Sequence, residues 1–351
     1  IMNILQGSQH KRQRAWARAD PPQVVIGTPE ELTHMVQYGG IKYHAVNFVV
    51  VDEVDACLLS NAGSMTSKLS CGGPLHQLLS RFLSPTFEVA VEDTNLGWSP
   101  RMPTRKIKTR QTIFCSATIP QHRHFVKQCT KEHWTIRKPV YVCASPGELI
   151  PPTLQHAYVV CLSQEKKFSA LERLIKKLPP RSKVLIFCDP QRDMEEMAES
   201  LAMELNGVFW NQWYGEKEEN EAEAIVCVLR YEDCLSERAS AMTAFQGESN
   251  QIEGRQFESE VNKNKKLRVL LSTDLAARGL DVQDISHVIQ FDMANDVDTY
   301  IHRGGRAGRL GREGAVISMA LQGQEFIVEK MANKLNIDMR CVGRQQKKSK
   351  P

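Results

Sequence analysis

No stretch of the chain is apolar for long enough to span a bilayer, so a soluble protein is expected. Ten cysteines occur, but none as a CxxC pair, which speaks against a zinc finger. Several (Cys57, Cys115, Cys161, Cys188, Cys227, Cys341) are scattered through apolar runs, the usage of a reducing compartment. An excess of one charge is also missing. Forty-five basic residues stand against 41 acidic ones, and the net +4 permits a polyanionic partner without arguing for one. Aromatics are sparse at 7%, yet 42% hydrophobic and 25% charged residues exclude a disordered or fibrous chain. No short-period repeat appears. The sequence opens on Ile1 rather than Met, so the lack of a targeting peptide carries no information.

What is present is strand followed by helix, repeated. At 351 residues the chain suggests two domains, each with its own core. Val24–Ile26 reads as a strand and Thr28–Gln37 as the helix after it. Phe48–Val51 reads as a strand covered on both faces, Gln111–Ala117 as another, and His122–Cys129 as a helix. Cys143–Gln155 collects Pro and Gly, as a linker does. The alternation then restarts. Strands are expected at His156–Cys161, Lys183–Cys188, Arg268–Thr273, His287–Phe291 and Gly314–Leu321, with helices at Lys167–Leu178 and Arg192–Leu205. Such alternation implies parallel, doubly wound sheets. Ser84–Arg110 reads as a surface insertion, Gly247–Lys266 as a solvated loop, and Arg344–Lys350 as a short basic tail.

Chemistry gathers at four places. After Phe48–Val51 come three carboxylates in four positions, Asp52, Glu53 and Asp55, where a strand would emerge at the ligand-binding edge of an open sheet. A solvated acidic loop and a metal–nucleotide site both fit that pattern. A strand-tip carboxylate can hold Mg²⁺ through water, and its neighbour can orient an attacking water. Cys115–Pro120 contains Ser-Ala-Thr, by itself an ordinary turn or helix cap. Ser272–Val282 (STDLAARGLDV) follows a strand. His302–Gly314 packs four arginines into eleven residues among glycines, an arrangement expected to repel itself unless an anion is near.

In that order, DEVD, SAT, TDLAARGLD and HRGGRAGR resemble the DEAD-box family of ATP-dependent RNA helicases, over nearly the whole chain from Gly7 past Gly314. The resemblance implies two RecA-like α/β domains, the first incomplete: residues 1–145 and 155–340, joined by a linker at 146–154 and followed by a tail at 341–351. It implies ATP and Mg²⁺ as cofactors, RNA as partner, and a monomer. Asp52 would hold Mg²⁺ through water, and Glu53 would be the general base. Asp55 would link to Ser116, Thr118 and His302, coupling nucleotide to RNA. Arg306 and Arg309 would stabilise charge on the γ-phosphate, and Asp281 would meet the ribose. Thr28, Pro29, Arg238 and Thr273 match positions that touch the RNA backbone, which predicts little sequence preference and strong salt dependence. The DEVDACL wording and the insertion before SAT resemble a plant, chloroplast-targeted member; cytoplasm and nucleus are the alternatives.

The chain also departs from the family pattern. Val54 replaces an Ala, a tolerable change. TPGR has become TPEE, so Glu30 and Glu31 oppose a phosphate at that helix start, and Leu235 replaces the Gln of QxxR. No GxxxxGK[ST] occurs, so nothing in the sequence cradles a triphosphate. The expectation is an N-terminally truncated helicase, inactive as it stands. The runner-up is a nucleotide-independent RNA-binding or adaptor protein descended from a helicase, against which Glu53, Arg306 and Arg309 argue. A DNA-directed helicase of the same superfamily fits the SAT and His302 pairing less well.

Overall fold

The computed structural model describes residues 1–4, 10–59, 73–91, 104–116, 122–142, 150–212, 222–247, 266–277, 282 and 284–342. The chain divides into two compact units, Ile1–Ala144 and Ser145–Pro351.

The first unit opens with β1 (Met2–Ile4), α1 (His10–Ala19), β2 (Val25–Gly27) and α2 (Pro29–Gln37). It continues with β3 (Phe48–Val51), α3 (Val54–Leu59) and α4 (Pro74–Gln77), the last running on as a π-helical segment over Leu78–Phe82. An antiparallel ribbon follows, β4 (Thr86–Val91) and β5 (Thr104–Thr109), then β6 (Gln111–Phe114) and α5 (His122–Lys131). β1 pairs with β2, and β3 with β6, both in parallel. The sequence expectation for β3 is corrected here. Its burial alternates, with Val49 and Val51 at 8% and 7% exposure but Phe48 and Val50 at 65% and 62%. Val50 faces Ile113 across the pair, and Ile113 is open too, so one face of this two-stranded sheet has nothing packed on it among the described residues. The covered face meets Val54, Leu58, Leu79, Phe125 and Trp134, whose indole N–H donates to Ser80 Oγ at 3.0 Å. The expected insertion at Ser84–Arg110 is the β4–β5 ribbon, its tip lying outside the described residues.

The second unit is one sheet of eight parallel strands in the order β14-β7-β13-β12-β8-β11-β10-β9. Along the chain it runs β7 (Leu154–Cys161), α6 (Gln164–Ile175), β8 (Lys183–Phe187), α7 (Met194–Glu204), β9 (Val208–Phe209), β10 (Ala224–Leu229) and α8 (Leu235–Gln246). Then come β11 (Leu267–Ser272), α9 (Asp274–Ala277), β12 (His287–Gln290), α10 (Val297–Gly304), β13 (Gly314–Leu321), α11 (Glu325–Leu335) and β14 (Met339–Cys341). The period of two decides which helix each side chain meets. Val184, Ile186, Val226, Val228, Val269 and Leu271 pack with Leu171 and Leu201 of α6 and α7. Leu185, Phe187, Ile225, Cys227 and Leu270 point the other way, to Phe245, Ala276 and Tyr300. Central strands buried on both faces read as unbroken apolar runs for this reason, each such side chain stabilising by about 1.5–3 kcal/mol.

Local signals set the helix starts. Ser163 Oγ accepts from Lys166 N–H, Asp193 from Glu195 and Glu196 N–H, and Asp296 from Thr299 N–H. Two helices expected from periodicity therefore begin at their caps, Gln164 rather than Lys167 and Met194 rather than Arg192. At the far end of α8, Gly247 has φ +80°, and a Cβ there would strike the Arg268 guanidinium at 2.8–2.9 Å. The order of the strands turns around β8, with later strands filling both sides of it, so the carboxyl ends of β8, β11 and β12 form the switch point of a doubly wound sheet. Most of the expected linker (143–149), most of the solvated loop (248–265) and the basic tail (343–351) lie outside the described residues.

Candidate functional site

The motif residues fall into two groups, one on each unit. In the first unit, β3 ends at Val51 and the chain turns sharply. Asp52 is exposed, and its Oδ1 accepts from the Glu53 backbone N–H at 2.9 Å. Glu53 itself has φ +46°, an uncommon conformation for a side chain of its size, and half-buried. The left-handed residue lets the chain reverse into α3 at once, with Val54 N–H donating to Cys115 O at 3.1 Å and Val54 fully buried. Asp55 in turn is buried, and Ser116 Oγ donates to its Oδ1 at 2.7 Å. Ser116, the first residue of Ser-Ala-Thr, and the acidic turn 61 residues earlier are thus joined by a hydrogen bond between side chains. Thr118 lies outside the described residues.

Asp52 suits Mg²⁺ in one respect. Magnesium keeps most of its waters and needs one or two carboxylates, not a closed protein cage. Among the described residues there is no group of three or more metal-ligating side chains, and one exposed strand-tip carboxylate is the donor set such a hydrated ion takes. Elsewhere on this unit Thr28 caps α2, its hydroxyl accepting from Glu31 N–H at 3.5 Å, with Pro29 at the first helical position. Glu31 is not a bare charge: His10 Nε2 lies 3.2 Å from its carboxylate.

In the second unit Thr273 follows β11, buried, its hydroxyl accepting from Ala276 N–H at 3.3 Å. The next residue, Asp274, takes Arg303 in a fork, Nε to Oδ1 at 2.6 Å and Nη2 to Oδ2 at 2.8 Å. Arg303 also donates to Asp292 O and lies 5.0 Å over the Phe187 ring. TDLAARG and HRGGR are therefore tied together at the carboxyl ends of β11 and β12. Arg312 pairs with Asp284. Among the described residues, protein carboxylates thus stand beside Arg303 and Arg312, so part of the anionic charge expected near this run comes from the protein itself. Of the others, Arg306 is 8% exposed and Arg309 is half-buried, its Nε donating to Gly305 O at 3.3 Å. His302 is half-buried in the last turn of α10. Gly308, with φ +67°, cannot be replaced freely, because a Cβ would sit 2.7 Å from Leu154. Arg238, on the first turns of α8, is half-buried, with its Nε buried and without a hydrogen-bond partner among the described residues. Asp281 lies outside the described residues.

Sequence reasoning missed the polar lattice behind this edge. Asp292 accepts two bonds from Arg192, at 2.8 and 2.7 Å, and one from Asp189 N–H at 2.9 Å, and Lys167 Nζ stands 3.6 Å away at 3% exposure. Burial alone would raise the Asp292 carboxyl, but the Arg192 bonds, the Asp189 N–H and Lys167 together hold it below its ordinary value. Burial pushes the Lys167 amine down, and Asp292 only partly offsets it. Both cations lie 4.8 Å over the Phe291 ring. The available signal was a lysine on a helix and an arginine just before one, both near a strand-end FD.

A model described as DEAD/DEAH box helicase matches residues 1–125, and one described as Helicase conserved C-terminal domain matches residues 218–311. The chain belongs to the DEAD-box helicase family. Among the relatives of this DEAD-box chain, DEAD-box ATP-dependent RNA helicase 58, chloroplastic, from Arabidopsis thaliana is 27% identical over 95% of the chain and 60% of the relative. Its counterpart of the same name in Oryza sativa subsp. japonica is 25% identical, over 95% and 65%. The chain therefore spans about two thirds or less of these curated relatives. Among solved structures, S. cerevisiae Dbp5 bound to RNA and ADP BeF3 aligns with a TM-score of 0.64 at 20% identity, covering 97% of this chain and 69% of that one. Mss116p bound to ssRNA and AMP-PNP aligns at 0.67 and 17%, covering 97% and 57%. At such identities the likeness speaks for the fold, the two-domain RecA-like α/β architecture. No helix among the described residues is long and apolar enough to cross a membrane.

Proposed function

We propose that the protein containing this DEAD-box chain is an RNA-stimulated ATPase that separates short RNA duplexes. The observation that carries the reading is the acidic turn after β3: Glu53 in a left-handed conformation between Asp52, exposed, and Asp55, bonded to Ser116. The turn sets one carboxylate where it would orient a water, while another, Asp55, steadies the turn through Ser116. Mg²⁺, held by Asp52 through water, would supply the charge that polarises the phosphate. Arg306 and Arg309 would add positive charge to the transferring phosphoryl group, Asp281 would meet the ribose, and Asp55, Ser116, Thr118 and His302 would pass the state of the nucleotide to the RNA contacts. Thr28, Pro29, Arg238 and Thr273 would touch the RNA backbone. The two chloroplastic relatives support a chloroplast location.

No GxxxxGK[ST] lies within the 351 residues, so we propose that they do not hydrolyse ATP alone. The test is ATP turnover, with and without RNA, of this chain and of a longer chain that includes a phosphate-binding loop. The longer chain should be stimulated by RNA, and Glu53→Gln should lower its kcat by about 10²-fold or more, the worth of a general base. Stimulated turnover that survives Glu53→Gln removes the role given to Glu53.

A further inference from the structure

TPEE leaves the first unit without the cation that TPGR would offer, and helix α1 stands beside that defect. Its sequence, HKRQRAWARA, carries Lys11, Arg12, Arg14 and Arg18 and no acidic residue. α1 lies along α2 with matching ends together. His10 meets Glu31 at 3.2 Å and stacks on His34 at 4.6 Å. At the other end Arg14 lies 5.2 Å over the Tyr38 ring, and Arg18 donates to Tyr38 O at 2.9 Å and Gly39 O at 3.0 Å. Those contacts and buried Ala17 account for the seated side of the helix.

The outward side is different. Lys11 and Arg12 are exposed, and so is Trp16, at 57%. The Arg12 guanidinium lies 4.5 Å over the Trp16 ring, one helical turn away. A solvated helix face normally mixes both signs of charge and has no use for an exposed indole. Here a cation is pre-stacked on an aromatic, its N–H edge available to a phosphate and the indole available to a base. Single-stranded nucleic-acid sites pair these two elements. Because His10 contacts the first turn of α2, Lys11 and Arg12 stand within two residues of that contact, at the end of α1 nearest Thr28. His10 also offsets Glu31, one of the two acids that oppose a phosphate there.

We propose that the outward face of α1, through Lys11, Arg12 and Trp16, binds the backbone and a base of single-stranded RNA and supplies the charge that the TPEE turn lacks. The inference rests on the RNA reading above and adds a contact outside its motif residues. Its test is fluorescence anisotropy of a labelled oligouridine with the whole chain across a salt series, comparing Lys11→Glu/Arg12→Glu, Lys11→Gln/Arg12→Gln, Trp16→Ala and Arg238→Ala. Melting temperatures of the three α1 variants should match the parent within about 2 °C, since Lys11, Arg12 and Trp16 are exposed and touch no core. Losing two phosphate contacts should flatten the slope of log affinity against log salt by about 1.4, with affinity down about tenfold or more at low salt. Trp16→Ala should weaken binding by about 5- to 100-fold with little change of slope. If the parent binds and Arg238→Ala weakens it, while both Lys11/Arg12 variants bind with unchanged affinity and slope, α1 is not an RNA element and the RNA reading stands. If neither the parent nor any variant binds RNA, the RNA reading falls and this one with it. The same titrations are run with labelled polyglutamate, and a loss confined to it, with oligouridine binding intact, assigns the face to an acidic protein and overturns the proposal.

Discussion

Asp55 and Ser116 show what one hydrogen bond does at the scale of a residue. A carboxylate at 8% exposure has little water to turn to, so a donated hydroxyl is worth more than the same bond at the surface. Ser116→Ala is expected to destabilise the first unit by about 1–3 kcal/mol in a urea titration, and a shift within error would mean that Asp55 is satisfied without it. His156 offers a pH-dependent counterpart. Its Nδ1 lies 2.8 Å from the Tyr300 hydroxyl, and burial holds its pKa below the ordinary 6.5. The unfolded chain therefore takes up this proton first. Stability from His156 is complete above about pH 6.5 and falls as the pH drops from there towards the depressed folded value. His287, lowered by burial in the same way, adds to that slope. His156→Phe should flatten the loss between about pH 6.5 and 5 in a series of urea midpoints, and an unchanged slope would acquit His156. At this scale the sequence singled out carboxylates and arginines beside strand ends, and the structure gives Asp55 to Ser116 and Arg303 to Asp274. The sequence was silent on conformation. Nothing in DEVD announces that Glu53 turns left-handed, and nothing in HRGGR says that Arg303 is taken by Asp274.

Elements were legible where one pattern dominates. β8, β11, β12 and β13 each read as short apolar runs and were placed to within a residue or two. β10, AIVCVL, obeys the same rule with all six residues buried, but it follows an acidic segment without a turn signal and went unread. For β3, the apolar run implied two covered faces, whereas coverage depends on what packs there and not on the strand's own residues. Helix starts were misplaced because periodicity marks the buried stripe while caps mark the end. The Asp292 lattice joins α6, the start of α7 and the end of β12, and its energy is shared among them. Removing the one anion leaves Lys167, at 3% exposure, without its counter-charge, while Arg192, at 29%, can reach water. Asp292→Asn should therefore cost about 3–5 kcal/mol in urea unfolding of the second unit. Adding Lys167→Met should return part of it, since an apolar side chain of similar length needs no partner. If the double variant is no more stable than the single one, the cost belongs to the Arg192 and Asp189 bonds and not to a stranded lysine.

Taken whole, the molecule is two bodies built to different depths. The second has eight strands in one sheet, covered on both faces by helices and by two large apolar clusters. The first has its described strands in three separate two-stranded pairs and one smaller cluster, with Phe48, Val50 and Ile113 open on one face. Isolated strand pairs are marginal in water, and stability grows with the fraction of surface a domain buries. The two units should accordingly unfold apart, not as one cooperative system. Differential scanning calorimetry of the whole chain is expected to give two transitions, the lower one from residues 1–144. Trypsin added between the two temperatures should cut the first unit to peptides and leave a protected body beginning near residue 150, read by mass spectrometry. Quenching of buried Trp134, at 1% exposure in the core of the first unit, should be lost in the lower transition. One cooperative transition, with no protected body between the temperatures, would mean that the first unit draws stability from contacts beyond its own strand pairs, and the unequal depth of the two cores would then say little about how the chain melts.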